Sequence, residues 1–130
     1  MMISQASRAT GLSPDTLRYY DRLGLLPDLA RGPGGQRRFS GKDIERLRFI
    51  RRARNMDFSL AEIATLARLR DRAGDDRESV RVMAREKLAQ ISNRLEELRL
   101  LKNELELLIH LCEGSDGDAC PIVDGIEQRA

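Results

Sequence analysis

The strongest pattern in this 130-residue chain is a seven-residue repeat of apolar positions toward its C-terminal end. With Leu88 as position a, Leu88, Leu95, Lys102 and Ile109 fall at a, and Ile91, Leu98, Leu105 and Cys112 fall at d. Seven of these eight are apolar or thiol-bearing, and the segment holds neither Gly nor Pro, so the spacing predicts one coiled-coil helix from near residue 77 to residue 112. At about 1.5 Å per residue such a helix is roughly 50 Å long. One small domain cannot cover that seam. The pattern therefore predicts a partner helix, most simply from a second copy in a two-fold symmetric homodimer.

Shorter periodic segments precede it. Ile3 to Ala9 reads as a short, weakly apolar helix closed by Thr10-Gly11, and Ser13-Pro14 restarts a helix with Ser as N-cap and Pro in its first turn. Two short helices across a tight turn make a helix-turn-helix pattern. Leu25-Leu26-Pro27 and Gln36-Arg37-Arg38-Phe39 then read as the two strands of a hairpin, with Gly34-Gly35 supplying the positive φ of the turn. Ser40 caps a further helix with Ile44, Leu47, Phe49 and Ile50 as apolar positions. Ser59 and Glu62 have capping-box spacing ahead of Ile63, Leu66 and Leu69, and this second helix pair completes the core of the front module. The expected fold is mainly α. Residues 1–74 form a winged helix-turn-helix with a small β-hairpin wing, 75–112 a dimerisation helix, and 112–130 a loop with a short C-terminal helix.

Composition alters this picture in one respect. A mass of 14.7 kDa and 41% hydrophobic residues allow one domain with an appendage, and the net charge of +2 looks neutral. Residues 1–70, however, carry 14 Lys/Arg against 7 Asp/Glu, and residues 71–130 carry 9 against 14. All five aromatic residues, Tyr19, Tyr20, Phe39, Phe49 and Phe58, also lie in the front part. A basic, aromatic-bearing module joined to an acidic helix points to nucleic acid at one end and a different partner at the other. Thr16, Arg18, Tyr19 and Arg22 on the second helix are groups that reach phosphates and base edges. Arg31, Arg37 and Arg38 on the wing would lie along the DNA backbone, and Arg54, near the turn between the second helix pair, could reach a phosphate. A solvated amphipathic helix and an arginine-rich loop would carry the same residues, and their adjacency favours the DNA reading. With no signal peptide and no apolar run near 18 residues, the expectation is a cytoplasmic protein without a membrane partner. No Cys-x-x-Cys, nucleophile–base constellation or phosphate loop suggests an enzyme.

The only two cysteines, Cys112 and Cys120, bracket the Gly/Asp-rich stretch Glu113 to Ala119. Cys120 stands just before Pro121, at the start of a new helix, where unpaired N–H groups favour a thiolate. Thiolate is the ligand soft metals prefer. The pair suits a metal site, and it also suits a sensor that closes a reversible disulfide.

Taken in order, Ile3 to Gly11, the run Thr16-Leu17-Arg18-Tyr19-Tyr20-Asp21-Arg22-Leu23-Gly24-Leu25-Leu26, Arg37-Arg38-Phe39 and the helix Asp43 to Arg54 resemble the MerR family of bacterial transcription regulators. The ending from Cys112 to Cys120-Pro121-Ile122 resembles the metal-sensing branch, especially its copper-responsive members. That resemblance implies antiparallel dimer helices and two cysteines that hold the metal in a loop beyond them. It also implies a dimer on double-stranded promoter DNA, with Ser13, Thr16, Arg18 and Tyr19 at the groove, Tyr20 bracing the recognition helix, and Arg37 and Arg38 on the wing. Metal binding would then distort the operator so that RNA polymerase reads an over-long promoter spacer. Arg77 stands where the divalent-metal branch has a third cysteine and the copper branch usually a serine. Two thiols without a third favour Cu(I) or Ag(I) over mercury, lead or cadmium. Zinc wants about four ligands, to which His110, Asp116, Asp118 or Asp75 and Asp76 of the partner subunit could contribute.

Overall fold

The computed structural model describes residues 1–72, 77–114 and 120–128. The element order is α1 (Ile3–Thr10), α2 (Pro14–Arg22), β1 (Ala30–Arg31), β2 (Arg37–Arg38), α3 (Gly41–Asn55), α4 (Leu60–Asp71), α5 (Arg77–Glu113) and α6 (Pro121–Glu127). The chain divides into two compact units, Met1–Arg81 and Val82–Ala130, and α5 begins in the first and runs through most of the second.

In the first unit the helix starts follow the cap residues. Ser13, Ser40 and Ser59 each accept a hydrogen bond from the backbone N–H three residues on, and Asp43 and Glu62 complete two capping boxes. Leu17, Leu47, Ile50 and Ile63 are fully buried, and Phe39 and Phe58 are buried in the same core cluster. Charged side chains tie off two chain ends inside this unit. The Arg51 guanidinium donates to the Thr10 carbonyl at 2.6 Å, capping the C-terminal end of α1. Arg46 donates both to the Leu25 carbonyl at 2.8 Å and to the Asp71 carboxylate at 3.0 Å. Arg70 lies 4.9 Å above the Phe49 ring, so this half-buried aromatic serves as a cation–π platform.

The wing differs from the expected hairpin in its first strand. Leu25, Leu26 and Pro27 do not form it; Ala30 pairs with Arg38 and Arg31 with Arg37, antiparallel. The cause is the end of α2. Gly24, at φ 77, takes the left-handed position of a Schellman motif, with Leu25 N–H donating to Tyr20 O and Gly24 N–H to Asp21 O, each at 3.0 Å. Leu25 is then the apolar residue that folds back onto the helix end, and it is buried with Leu26 in the core. Of the two turn glycines only Gly35 has a positive φ, at 78°. The backbone of Met1 exchanges two hydrogen bonds with Phe39, which seats the outgoing strand beside the N-terminal residues.

The second unit holds the rest of α5 together with α6. Leu88, Leu95, Leu98, Leu105 and Ile109 of the heptad seam are 64, 63, 46, 49 and 46% exposed. Leu100, Leu101, Leu107 and Leu111, outside the a and d positions, are exposed as well, a second stripe that the heptad reading did not single out. Arg94–Glu97, Arg99–Glu96 and Lys102–Glu106 pair along the helix surface, and the hydrogen bond from Arg99 holds the Glu96 carboxyl below the usual carboxylate range. Such exposed pairs add little to stability. α6 packs against α5 at one close point, because a Cβ on Gly125 would lie 2.9 Å from the Leu108 Cδ2 atom. Among the described residues no helix is long and apolar enough to cross a membrane.

One exposed position should respond to substitution as if it were structural. Asp57 ends α3 at φ 69, with Phe58 N–H donating to Ala53 O at 3.2 Å and Asp57 N–H to Arg54 O at 3.0 Å, a Schellman end in which Asp stands at the position glycine usually takes. Asp tolerates that conformation and a β-branched residue does not. Asp57→Val should cost about 1–2 kcal/mol in denaturant unfolding, against the ~0.5 kcal/mol of an ordinary surface change. A loss no larger than the latter would contradict the assignment.

Candidate nucleic-acid interface and thiol pair

The recognition candidate is α2. The Ser13 hydroxyl accepts from Thr16 N–H at 3.1 Å and shares a second hydrogen bond with the Thr16 hydroxyl at 2.8 Å, so both side chains hold the N-terminal turn. Arg18 donates to Asp15 at 2.8 Å, and with the Asp15 side chain 95% exposed this is a surface pair that a phosphate could displace. Tyr19 is exposed. Its neighbour Tyr20 is buried, with the two ring centroids 6.3 Å apart, so Tyr20 contributes by fixing α2 to the core.

On the wing the three arginines are not equivalent. Arg37 Nε donates to Asp21 Oδ2 at 2.7 Å with its side chain only 20% exposed, and Arg31 Nη2 donates to the same oxygen at 2.9 Å with 49% exposure. Arg38 is exposed and has no ion pair among the described residues. Arg54 is exposed, yet its guanidinium donates to the Phe58 carbonyl at 3.2 Å, across the turn between α3 and α4. Sequence reasoning named all four cations and missed the carboxylate that engages two of them. A signal was available: Asp21 sits in the last turn of α2, where the helix dipole disfavours a negative charge, so a carboxylate there calls for a cationic partner.

The cysteines stand at the two ends of residues 113–119, of which 115–119 lie outside the described residues. Cys112 is in the last turn of α5, and Cys120 is the N-cap of α6 with Pro121 in the first helical turn, as the sequence implied. Both thiols are free and partly buried. Cys120 makes no side-chain capping hydrogen bond, and α6 returns along the end of α5 to the Gly125–Leu108 contact. Among the described residues no group of three or more His, Cys, Asp and Glu side chains is gathered to hold a metal. The expected contributions of Asp75, Asp76, Asp116 and Asp118 fall outside the described residues, and His110 lies in the final turns of α5.

Residues 1–69 match the model of the MerR HTH family regulatory protein, and residues 44–108 match the model described as MerR, DNA binding. The HTH-type transcriptional regulator HmrR of Rhizobium leguminosarum bv. viciae is 39% identical over 134 residues, covering 100% of both chains. Among solved structures, the transcription regulator PbrR691 from Ralstonia metallidurans CH34, in complex with lead(II), is 33% identical, with a TM-score of 0.80 over 97% of this chain and 98% of that one. HiNmlR, a MerR family regulator lacking the sensor domain and bound to promoter DNA, is 28% identical, with a TM-score of 0.64 over 85% and 83%. With a family model covering its first 69 residues and a full-length relative at 39% identity, the chain belongs to the MerR family of helix-turn-helix regulatory proteins.

Proposed function

We propose that this protein is a metal-responsive transcription regulator that binds double-stranded promoter DNA as a homodimer in the cytoplasm, and that Cys112 and Cys120 hold its effector, Cu(I) or Ag(I). The observation that carries the reading is the pairing, in one chain, of a basic winged helix-turn-helix with two free thiols at the ends of the segment that joins α5 to α6. The two parts divide the labour as detector and reader. Residues 1–74 would bind DNA, 75–112 would join the subunits, and 112–130 would sense the metal.

The donor set fits a soft monovalent ion. Two thiolates meet its preference for sulfur, and the sequence contains no third cysteine with which to build a divalent thiolate cage. The bound ion would supply a charge and a cross-link between the end of α5 and the start of α6. The chain's own contribution is the Gly125–Leu108 contact between α6 and α5, which a bound metal could strengthen or loosen. A shift of that kind, passed to the two DNA-binding modules, would alter the operator's twist and bend, and RNA polymerase would read the altered spacer. A divalent reading is supported by the relative determined with lead(II), and it would require ligands beyond the two thiols.

The dimer follows from the exposed seam. Leu98→Glu would bury a charge between the helices and should weaken association by several kcal/mol, by analogy with unpaired buried charges. Sedimentation should then find monomer where the wild type is dimeric at micromolar concentration, and DNA affinity should fall with it. A wild-type chain that sediments as a compact monomer at that concentration would exclude the dimer.

Purified under reducing conditions and titrated with Cu(I), the protein should bind one ion per chain, with two sulfur neighbours at the metal absorption edge. Cys112→Ser or Cys120→Ser should abolish that binding and leave operator binding intact. A four-coordinate zinc(II) centre with nitrogen and oxygen neighbours would favour the divalent reading. A response to peroxide that persists under strict metal chelation would favour a thiol-redox switch.

A further inference from the structure

We propose that Asp21 is a positioning residue that sets the wing at a fixed angle to the recognition helix, and that Arg37 serves this tether rather than a DNA phosphate. The inference rests on the reading of α2 and the wing as the DNA interface. Its starting point is the convergence of two wing arginines on one carboxylate oxygen. Arg37 Nε lies 2.7 Å and Arg31 Nη2 2.9 Å from Asp21 Oδ2, and the Asp21 side chain is only 14% exposed.

The wing needs such a tether. Its strands pair over two residues each, and a two-stranded hairpin of that length has no stability of its own in water. Other contacts hold it at its base: the buried Phe39 ring and the backbone pairing of Phe39 with Met1 just beyond β2, and Leu29, packed against the core, just before β1. Among the side-chain hydrogen bonds of the described residues, those to Asp21 alone join the paired strands directly to α2, one from each strand through Arg31 and Arg37, across 10 and 16 residues of sequence. The three arginines then have different tasks. Arg37, mostly covered, holds the wing; Arg38, exposed and without an ion pair among the described residues, is the wing's phosphate contact; Arg31, half exposed, shares the two roles.

This assignment predicts a sign opposite to that of simple electrostatics. Removing a carboxylate from a DNA-binding face reduces repulsion and releases two cations, so charge alone would strengthen binding when Asp21 is neutralised. A lost tether weakens it, because the wing must then be ordered on the DNA at the moment of binding. The released arginines would still reach phosphates from the loosened wing, which raises the salt dependence.

The test uses the metal-free, full-length protein and a duplex enriched from random-sequence DNA by retention on the wild type, with a scrambled duplex as control. Affinities are measured over a series of salt concentrations for wild type, Asp21→Asn, Arg37→Gln, the double variant and Arg38→Gln. Asp21→Asn should bind about tenfold more weakly and with a salt slope steeper by about one unit. Arg37→Gln should show a similar loss with an unchanged slope, and the double variant should be no weaker than Arg37→Gln, as for two residues acting through one contact. Arg38→Gln should lose about one unit of slope. Should Asp21→Asn fail to fold, the comparison of Arg37→Gln with Arg38→Gln carries the same distinction. Binding by Asp21→Asn as tight as or tighter than wild type, additive losses in the double variant, or a drop of about one slope unit in Arg37→Gln would overturn the tether. A wild type that does not discriminate the enriched duplex from the scrambled one would overturn the DNA-binding reading itself.

Discussion

A helix of 37 residues that leaves Leu88, Leu95, Leu98, Leu105 and Ile109 of its seam between 46 and 64% exposed is an incomplete structure, and the working of the whole molecule depends on its completion. Apolar side chains of that size are worth about 1.5–3 kcal/mol each when buried, so five of them along one seam supply ample drive for association. The same helix carries the reader at one end of its sequence and the thiols at the other. Pairing such helices would make a two-module reader for a pseudo-palindromic site, and it would bring any change near Cys112 to a subunit boundary. Lys102, at an a position and paired with Glu106, is the one charged residue that interrupts the seam.

The front unit shows how far local chemistry alone determines a fold. Serine hydroxyls at positions 13, 40 and 59 start three helices, and two of them are reinforced by an acidic residue three positions on. Those signals are short-range and were readable residue by residue. So were the helix-turn-helix, the second helix pair with its buried Leu47, Ile50 and Ile63, the long helix to within a residue or two, and Cys120 as the start of α6 with Pro121 behind it.

What the sequence did not disclose is tertiary in origin. Leu25-Leu26-Pro27 has strand-like composition, yet the Schellman end of α2 at Gly24 folds Leu25 back into the core and moves the first wing strand to Ala30–Arg31. Arginines invite assignment to DNA wherever they cluster beside a helix-turn-helix. In the folded unit Arg51 caps α1, Arg46 clamps the Leu25 carbonyl and Asp71, and Arg37 is held by Asp21. A guanidinium with five donors suits both internal carbonyls and external phosphates, and only the fold tells which it meets. The second exposed stripe through Leu100, Leu107 and Leu111 was hidden in a different way, because a heptad count scores one seam and passes over apolar residues at the remaining positions.

Under the proposed function, metal would change what the bound protein does to DNA rather than whether it is bound. Transcription in vitro from a promoter carrying the enriched site, with purified RNA polymerase and Cu(I) buffered at defined free concentrations, tests this directly when run alongside a footprint of the same complex. Transcript should rise with Cu(I) while the footprint stays occupied, with altered cleavage at its centre. Cu(I) that merely releases the protein from the site, or that leaves transcript unchanged over the whole range of metal concentration, would contradict it.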